Sequence, residues 1–84
     1  MKDKDELVSI IKNIIISVSD IPLTVEQIEI GKGGIMDLGL NSLSLVRMMA
    51  EIEKQFDIDL EDAGSNILNS IEDLADYILN ISHL

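Results

Sequence analysis

Ser42 is the side chain in this sequence with the setting of a reactive group. It stands in Asp37-Leu38-Gly39-Leu40-Asn41-Ser42-Leu43, where a long glycine-bearing stretch meets a helical pattern. A hydroxyl in the first turn of a helix is exposed. Free backbone N–H groups and the positive end of the helix dipole point at whatever is attached there. A phosphate ester on Ser42 is therefore well placed electrostatically. Serine is also a common helix cap, so position alone leaves both uses open. Other reactive constellations are missing. No cysteine is present, which removes disulfides, thiolate metal sites and a thiol nucleophile. The one histidine, His83, stands one residue from the end of the sequence and is badly placed as a base for a serine. Asp57-x-Asp59-x-Glu61 opens like a calcium loop, but Asp62 stands where that loop needs glycine and Leu68 where it needs glutamate. Gly31, Gly33 and Gly34 lack the Gly-Lys-Ser/Thr that completes a phosphate-cradling loop. Carboxylate pairs abound, and at this charge density they read as solvated faces. None of this describes an enzyme.

The surrounding chain bounds the remaining possibilities. Its 84 residues make one domain. A domain of that size buries only about 60% of its unfolded surface. With 46% hydrophobic residues and two aromatics, Phe56 and Tyr77, its core must be built from Ile and Leu. Sixteen acids against six bases give a net charge of −10. That leaves no basic footprint for nucleic acid and disfavours anionic membrane. Partners are expected to present basic surfaces. No apolar run is longer than Ile14–Ile16, so nothing spans a bilayer. Asp3, Asp5 and Glu6 make the N-terminus too acidic for a secretory signal, and a cytoplasmic location is expected.

Periodicity supplies the elements that position Ser42. Leu7, Ile10, Ile11, Ile14, Ile15 and Val18 form one apolar stripe, which predicts a helix over residues 5–18 with acids at its start. Pro22 ends it, because the residue before proline avoids the helical region. Residues 19–41 follow as a long loop. Thr24 and Gln27 have the spacing of a capping box around one turn. Ile28, Ile30, Ile35, Met36, Leu38 and Leu40 predict that this loop packs on the body. A second helix spans 42–56, capped by Asn41 or Ser42. Leu45, Met48, Met49, Ile52 and Phe56 make its core row, while Leu43, Val46 and Ala50 lie on another side. A short helix is expected near Glu61 to Gly64. Ser70 caps a last helix with Ile71, Leu74, Ala75 and Ile78 on its buried stripe. The predicted fold is all-α: a small four-helix bundle of three main helices and one short one, with a long loop between the first two.

The segment around Ser42 resembles the modification site of acyl and peptidyl carrier proteins. That family has an acidic residue, Leu-Gly-x, then Asp-Ser-Leu opening the second helix. Here the residues are Asp37, Leu38-Gly39-Leu40, then Asn41-Ser42-Leu43. The stretches Glu51-Ile52-Glu53-Lys54-Gln55-Phe56-Asp57-Ile58 and Ile71-Glu72-Asp73-Leu74-Ala75-Asp76-Tyr77-Ile78 resemble the family too, so the likeness covers the whole chain, residues 1–84, as a single carrier domain. The resemblance implies a 4′-phosphopantetheine arm on Ser42, taken from coenzyme A, with Asn41 and Leu43 flanking the attachment. The arm's thiol would hold an acyl or aminoacyl group as a thioester, and the protein itself would catalyse nothing. Implied partners are a phosphopantetheinyl transferase using Mg²⁺, an acyl- or aminoacyl-loading ligase, and downstream condensing or tailoring enzymes. The second helix would be their docking surface, through Leu43, Val46, Arg47 and Ala50 on a monomer. Packing of Leu43 and Val46 against the loop is the plainer use of those side chains.

Two departures from the family pattern bear on function. Asn41 stands where aspartate is usual. It keeps the cap but removes a carboxylate, so Asn41→Asp is expected to hasten modification. Arg47 and Lys54 balance Glu51 and Glu53, leaving residues 42–56 without net charge. Fatty-acid carriers are densely acidic there. The departure points to a nonribosomal-peptide or polyketide-type pathway, with a housekeeping fatty-acid carrier as the alternative. From a different class, an acidic helical adaptor with no prosthetic group would share the composition.

Overall fold

The first helix starts where Asp3 closes it: Asp3 Oδ1 accepts the Glu6 N–H at 2.8 Å. The computed structural model describes residues 3–31, 34–35, 38–60 and 68–82. They contain α1 (Lys4–Val18), a 3₁₀ turn (Val25–Gln27), α2 (Ser42–Phe56) and α3 (Ile71–Ser82), with no strand among the described residues. The short helix expected near Glu61 to Gly64 lies outside the described residues, as do Asp37 and His83. Among the described residues, no helix is long and apolar enough to cross a membrane.

The stripes predicted from spacing meet in one core. Leu7, Ile11, Ile14 and Ile15 come from α1, Met48 and Ile52 from α2, and Ile71, Leu74, Ala75 and Ile78 from α3. Ile28, Ile35 and Leu60 enter it from the connections. Ile10 and Val18 sit at the flank, partly buried. The first two helices run antiparallel. Ser44 near the start of α2 meets Val18 at the end of α1, and Gln55 shares a cleft with Ile10, Asn13 and Ile14. At the other side, Lys4 Nζ lies 3.3 Å from Glu72 Oε1 and 3.0 Å from Asp76 Oδ1, linking α1 to α3. The hydrogen bond to Asp76, with Glu72 adding to it, raises the Lys4 ammonium above its usual range. All three groups face water, where such pairs contribute little.

Met36 lies outside the described residues; among those described, the long connection packs as its apolar residues imply, with one exception. Ile28 and Ile35 are buried, and Leu38 and Leu40 are half-buried. Ile30 is instead 43% exposed. Its backbone does the docking: the Ile30 carbonyl accepts the Glu72 N–H at 3.1 Å, holding the loop to the start of α3 and turning the side chain outward. Gln27 Oε1 accepts the Thr24 N–H at 2.8 Å, one arm of the expected box. The Gly34 N–H donates to the Gly31 carbonyl at 3.0 Å in a turn so tight that a Cβ on Gly34 would lie 2.2 Å from the Glu29 carbonyl oxygen. Only glycine fits there.

Both later helices have clear ends. Ser70 Oγ accepts the Asp73 N–H at 2.9 Å and caps α3 as predicted. The chain leaves α2 through Asp57 in the left-handed region, φ 53°. The Ile58 N–H then returns to the Glu53 carbonyl at 3.2 Å, and Glu53 Oε2 accepts the Leu60 N–H at 2.8 Å. Glu53 thus braces the turn that buries Leu60.

The two faces of α2 should respond differently to truncation. Ile52→Ala leaves a cavity in the shared core and should cost about 2–5 kcal/mol. Val46→Ala removes a side chain that is 62% exposed and should change stability by no more than about 0.5 kcal/mol. Urea unfolding of both variants measures this. Equal losses would contradict the assignment of faces.

Candidate functional site

Ser42 is flanked by two residues with fixed contacts, Asn41, which caps α2, and Ser44, which joins α2 to α1. Asn41, not Ser42, is the cap: its Oδ1 accepts the Ser44 N–H at 2.8 Å, while its carbonyl accepts the Leu45 N–H at 3.1 Å. Gly39 precedes it at φ 76°, a conformation that favours glycine and lets the chain turn into the helix. Ser44 is 2% exposed, and its hydroxyl donates to the Val18 carbonyl at 3.0 Å. That carbonyl belongs to the last turn of α1, which has no intrahelical donor of its own. The Asn41 Nδ2 donates to Asp20 Oδ2 at 2.5 Å. Ser19 shapes the intervening turn, its Oγ accepting the Ile21 N–H at 3.1 Å and donating to the Ile21 carbonyl at 2.8 Å.

These contacts decide where Ser42 points. Ser42 occupies the first position of α2 and is exposed. Among the described residues its hydroxyl has no hydrogen-bond partner. The first-turn N–H groups of Ser42 and Leu43 find no partner within the helix by construction. A phosphate ester on Ser42 Oγ therefore meets open solvent on one side and the positive end of α2 on the other. The residues fit such a group.

The side chains predicted to surround it are gathered on the same surface. Leu43 is 58% exposed and Val46 62% exposed, and Arg47 and Ala50 are exposed as well. Among the described residues, Leu43 and Val46 stay exposed instead of packing under the loop. Met48 and Ile52 point the other way, into the core, with Leu45, Met49 and Phe56 packed at its edge. Two residues of this junction escape the sequence reading. Ser44 had a signal: it stands four residues before Met48 and eight before Ile52, on their row. Asp20 had none, since its contact with Asn41 spans 21 residues of chain.

The family model for the phosphopantetheine attachment site matches residues 9–78 of this chain. The acyl carrier protein of Rickettsia bellii (strain RML369-C) is 37% identical over 54 residues, 64% of this chain and 63% of its own length. The acyl carrier protein of Campylobacter lari is 38% identical over 47 residues, 56% of this chain and 61% of its own length. The mitochondrial acyl carrier protein of Saccharomyces cerevisiae is 43% identical over 42 residues, half of this chain and 34% of its own length. The chain thus spans less than two thirds of the length of the two bacterial relatives and about a third of the mitochondrial one. No solved structure matches it.

The two serines should separate by stability. Ser44→Ala leaves the Val18 carbonyl without its buried donor and should cost about 1–2 kcal/mol. Ser42→Ala should change stability by less than about 0.5 kcal/mol. Chemical denaturation distinguishes them, and an equal effect would mean that Ser44 does not hold the helix junction.

Proposed function

The chain belongs to the phosphopantetheine-attachment family, and from that premise we propose that it is a carrier of acyl intermediates, with its prosthetic arm on Ser42. The family's group is 4′-phosphopantetheine, covalently attached, and its members carry rather than catalyse. When bound, the arm supplies a thiol that holds the cargo as a thioester. One observation carries the assignment to Ser42: it presents an exposed hydroxyl with no partner among the described residues, at a helix start whose cap is made by its neighbour Asn41. Ser44, two residues on, is buried and already hydrogen-bonded.

The chain's own residues prepare the site in three ways. Asn41 fixes the first turn of α2, so the backbone that carries the Ser42 hydroxyl is held in one place. The first-turn N–H groups and the dipole of α2 favour the phosphodiester once it is formed. Leu43, Val46 and Ala50 give partners an apolar strip beside the arm, with Arg47 as its charged edge. The transferase that installs the arm, the loading ligase and the downstream enzymes would all dock there on a monomeric single domain. We place the protein in the cytoplasm, where reducing conditions keep the arm's thiol free.

For the pathway, α2 carries Arg47 and Lys54 against Glu51 and Glu53. A docking helix without net charge relies on its apolar strip more than on ion pairs, which supports a specialised nonribosomal-peptide or polyketide-type route. The names of the similar proteins, all acyl carrier proteins, support a second reading as a fatty-acid carrier.

Incubation with coenzyme A, Mg²⁺ and a promiscuous transferase should add the mass of one arm to the wild type and none to Ser42→Ala. Both proteins keep Ser44, so an arm on Ser42→Ala would overturn the site. Ser44→Ala is unsuitable as the control because it loosens the helix junction. No arm on the wild type would favour an adaptor without a prosthetic group. For docking, Val46→Ala should weaken acyl loading by the cognate enzyme, with the lost contact worth about 1 kcal/mol. Loading unchanged by Val46→Ala would remove that residue from the docking strip.

A further inference from the structure

Among the described residues, Asp20 departs from the other surface carboxylates in where it is held. It is exposed, yet its Oδ2 accepts from Asn41 Nδ2 at the entrance of α2, one residue from Ser42. Asn41 cannot turn away, because its Oδ1 is fixed by the Ser44 N–H and only the donor end remains. The fold does not need this contact. Ser19 shapes the turn after α1, and the Ser44–Val18 bond joins the two helices. A hydrogen bond between exposed groups adds little to either. α2 has no acidic residue in its own first turn. The negative charge at its positive end is therefore brought from outside the helix. Asp20 Oδ1 has no partner among the described residues and faces solvent.

We propose that Asp20 is a specificity-determining residue for installation of the arm: its carboxylate, held beside Ser42 through Asn41, is the anion that a cationic group of the transferase reads. This rests on the carrier reading above. The cap and the charge, which one aspartate at position 41 would combine, are divided here between two residues. That changes the expectation for Asn41→Asp. The substitution does not fill a missing charge; it sets a second carboxylate against the first at hydrogen-bonding range. Asn41 is a positioning residue in this scheme, because it acts through Asp20.

The experiment is steady-state modification of the full chain by one transferase with coenzyme A, read by intact mass, with thermal melting of each variant. Asp20→Asn keeps an oxygen to accept from Asn41 and removes only the charge. It should melt within about 2 °C of the wild type. Its KM as carrier substrate should rise roughly threefold to tenfold at unchanged kcat, the scale of one partly exposed charged contact. The double variant Asp20→Asn with Asn41→Asp returns one carboxylate and one amide to the site with their positions exchanged, and its KM should return to within about twofold of the wild type. Glu26→Gln removes the same charge from the exposed 3₁₀ turn and should leave KM unchanged. An unaltered KM in Asp20→Asn overturns the proposal. An equal rise in Glu26→Gln overturns it as well, since net charge alone would then be responsible. If Asp20→Asn melts lower, the double variant decides: stability restored without recovery of KM overturns the proposal. A wild type that takes no arm sinks the carrier reading instead, whereas a modified wild type with a flat series sinks this inference alone.

Discussion

The hydrogen bond from Ser44 Oγ to the Val18 carbonyl fixes the rest of the site. Successive helical residues turn by about 100°. With Ser44 facing α1, Ser42 lies roughly 200° around the helix and must face away from it. The two serines therefore cannot exchange roles without rotating α2, which would drive Met48 and Ile52 out of the core. Leu43, Val46 and Ala50 fall on one row at spacings of three and four residues, so the same rotation fixes their exposure. One buried hydroxyl thus sets both which serine is exposed and which side chains border it. The bond also satisfies a carbonyl at the end of α1, where no basic residue stands to do so.

Electrostatics then distributes what this rotation leaves outside. The chain has six basic residues for sixteen acids, and its basic groups are used selectively. Lys4 holds two carboxylates of α3 across the bundle. Glu53, nominally a surface acid of α2, bends back to receive the Leu60 N–H and so belongs to the turn rather than to the outward face of α2. Arg47 remains exposed on the side of Leu43 and Val46. A charge count along α2 gives zero, but the outward surface is more positive than the count implies because one of its two acids is engaged elsewhere.

The helices were legible because burial imposes a period. Leu7, Ile11, Ile14 and Ile15, or Ile71, Leu74, Ala75 and Ile78, repeat as a helix must when one side meets a core. Caps were legible where a local pattern makes them, as at Ser70. The residue proposed for attachment, Ser42, came from a motif, and its exposure from its place at a helix start. What the sequence left open were choices decided by contacts between distant segments. Asn41 and Ser42 cap equally well in isolation, and the structure selects Asn41. Ser44 lies on the apolar row of Met48 and Ile52, but a polar hydroxyl gives no sign in the sequence that its partner is the Val18 carbonyl. Ile30 looked buried because it is apolar, although a loop has no period to say which way a side chain points and its carbonyl was needed at α3. The Asp20–Asn41 contact has no local signature at all.

An apolar strip on the surface of a small domain invites contact with its own copies as much as with other proteins. Leu43 and Val46, both more than half exposed, would favour self-association on a neutral domain of this size. The net charge of −10 opposes that encounter. Repulsion between copies is long-ranged on the scale of roughly 10 Å at moderate salt, whereas apolar contact acts only on touching. Two copies approaching through α2 are repelled by the net charge of the whole chain, although α2 itself is not acidic. A basic surface meets attraction first and reaches the apolar strip afterwards. The charge that weakens the fold by self-repulsion thus keeps the apolar strip open to surfaces of opposite sign, and an apolar α2 face is tolerable on this domain because the rest of the chain is so acidic.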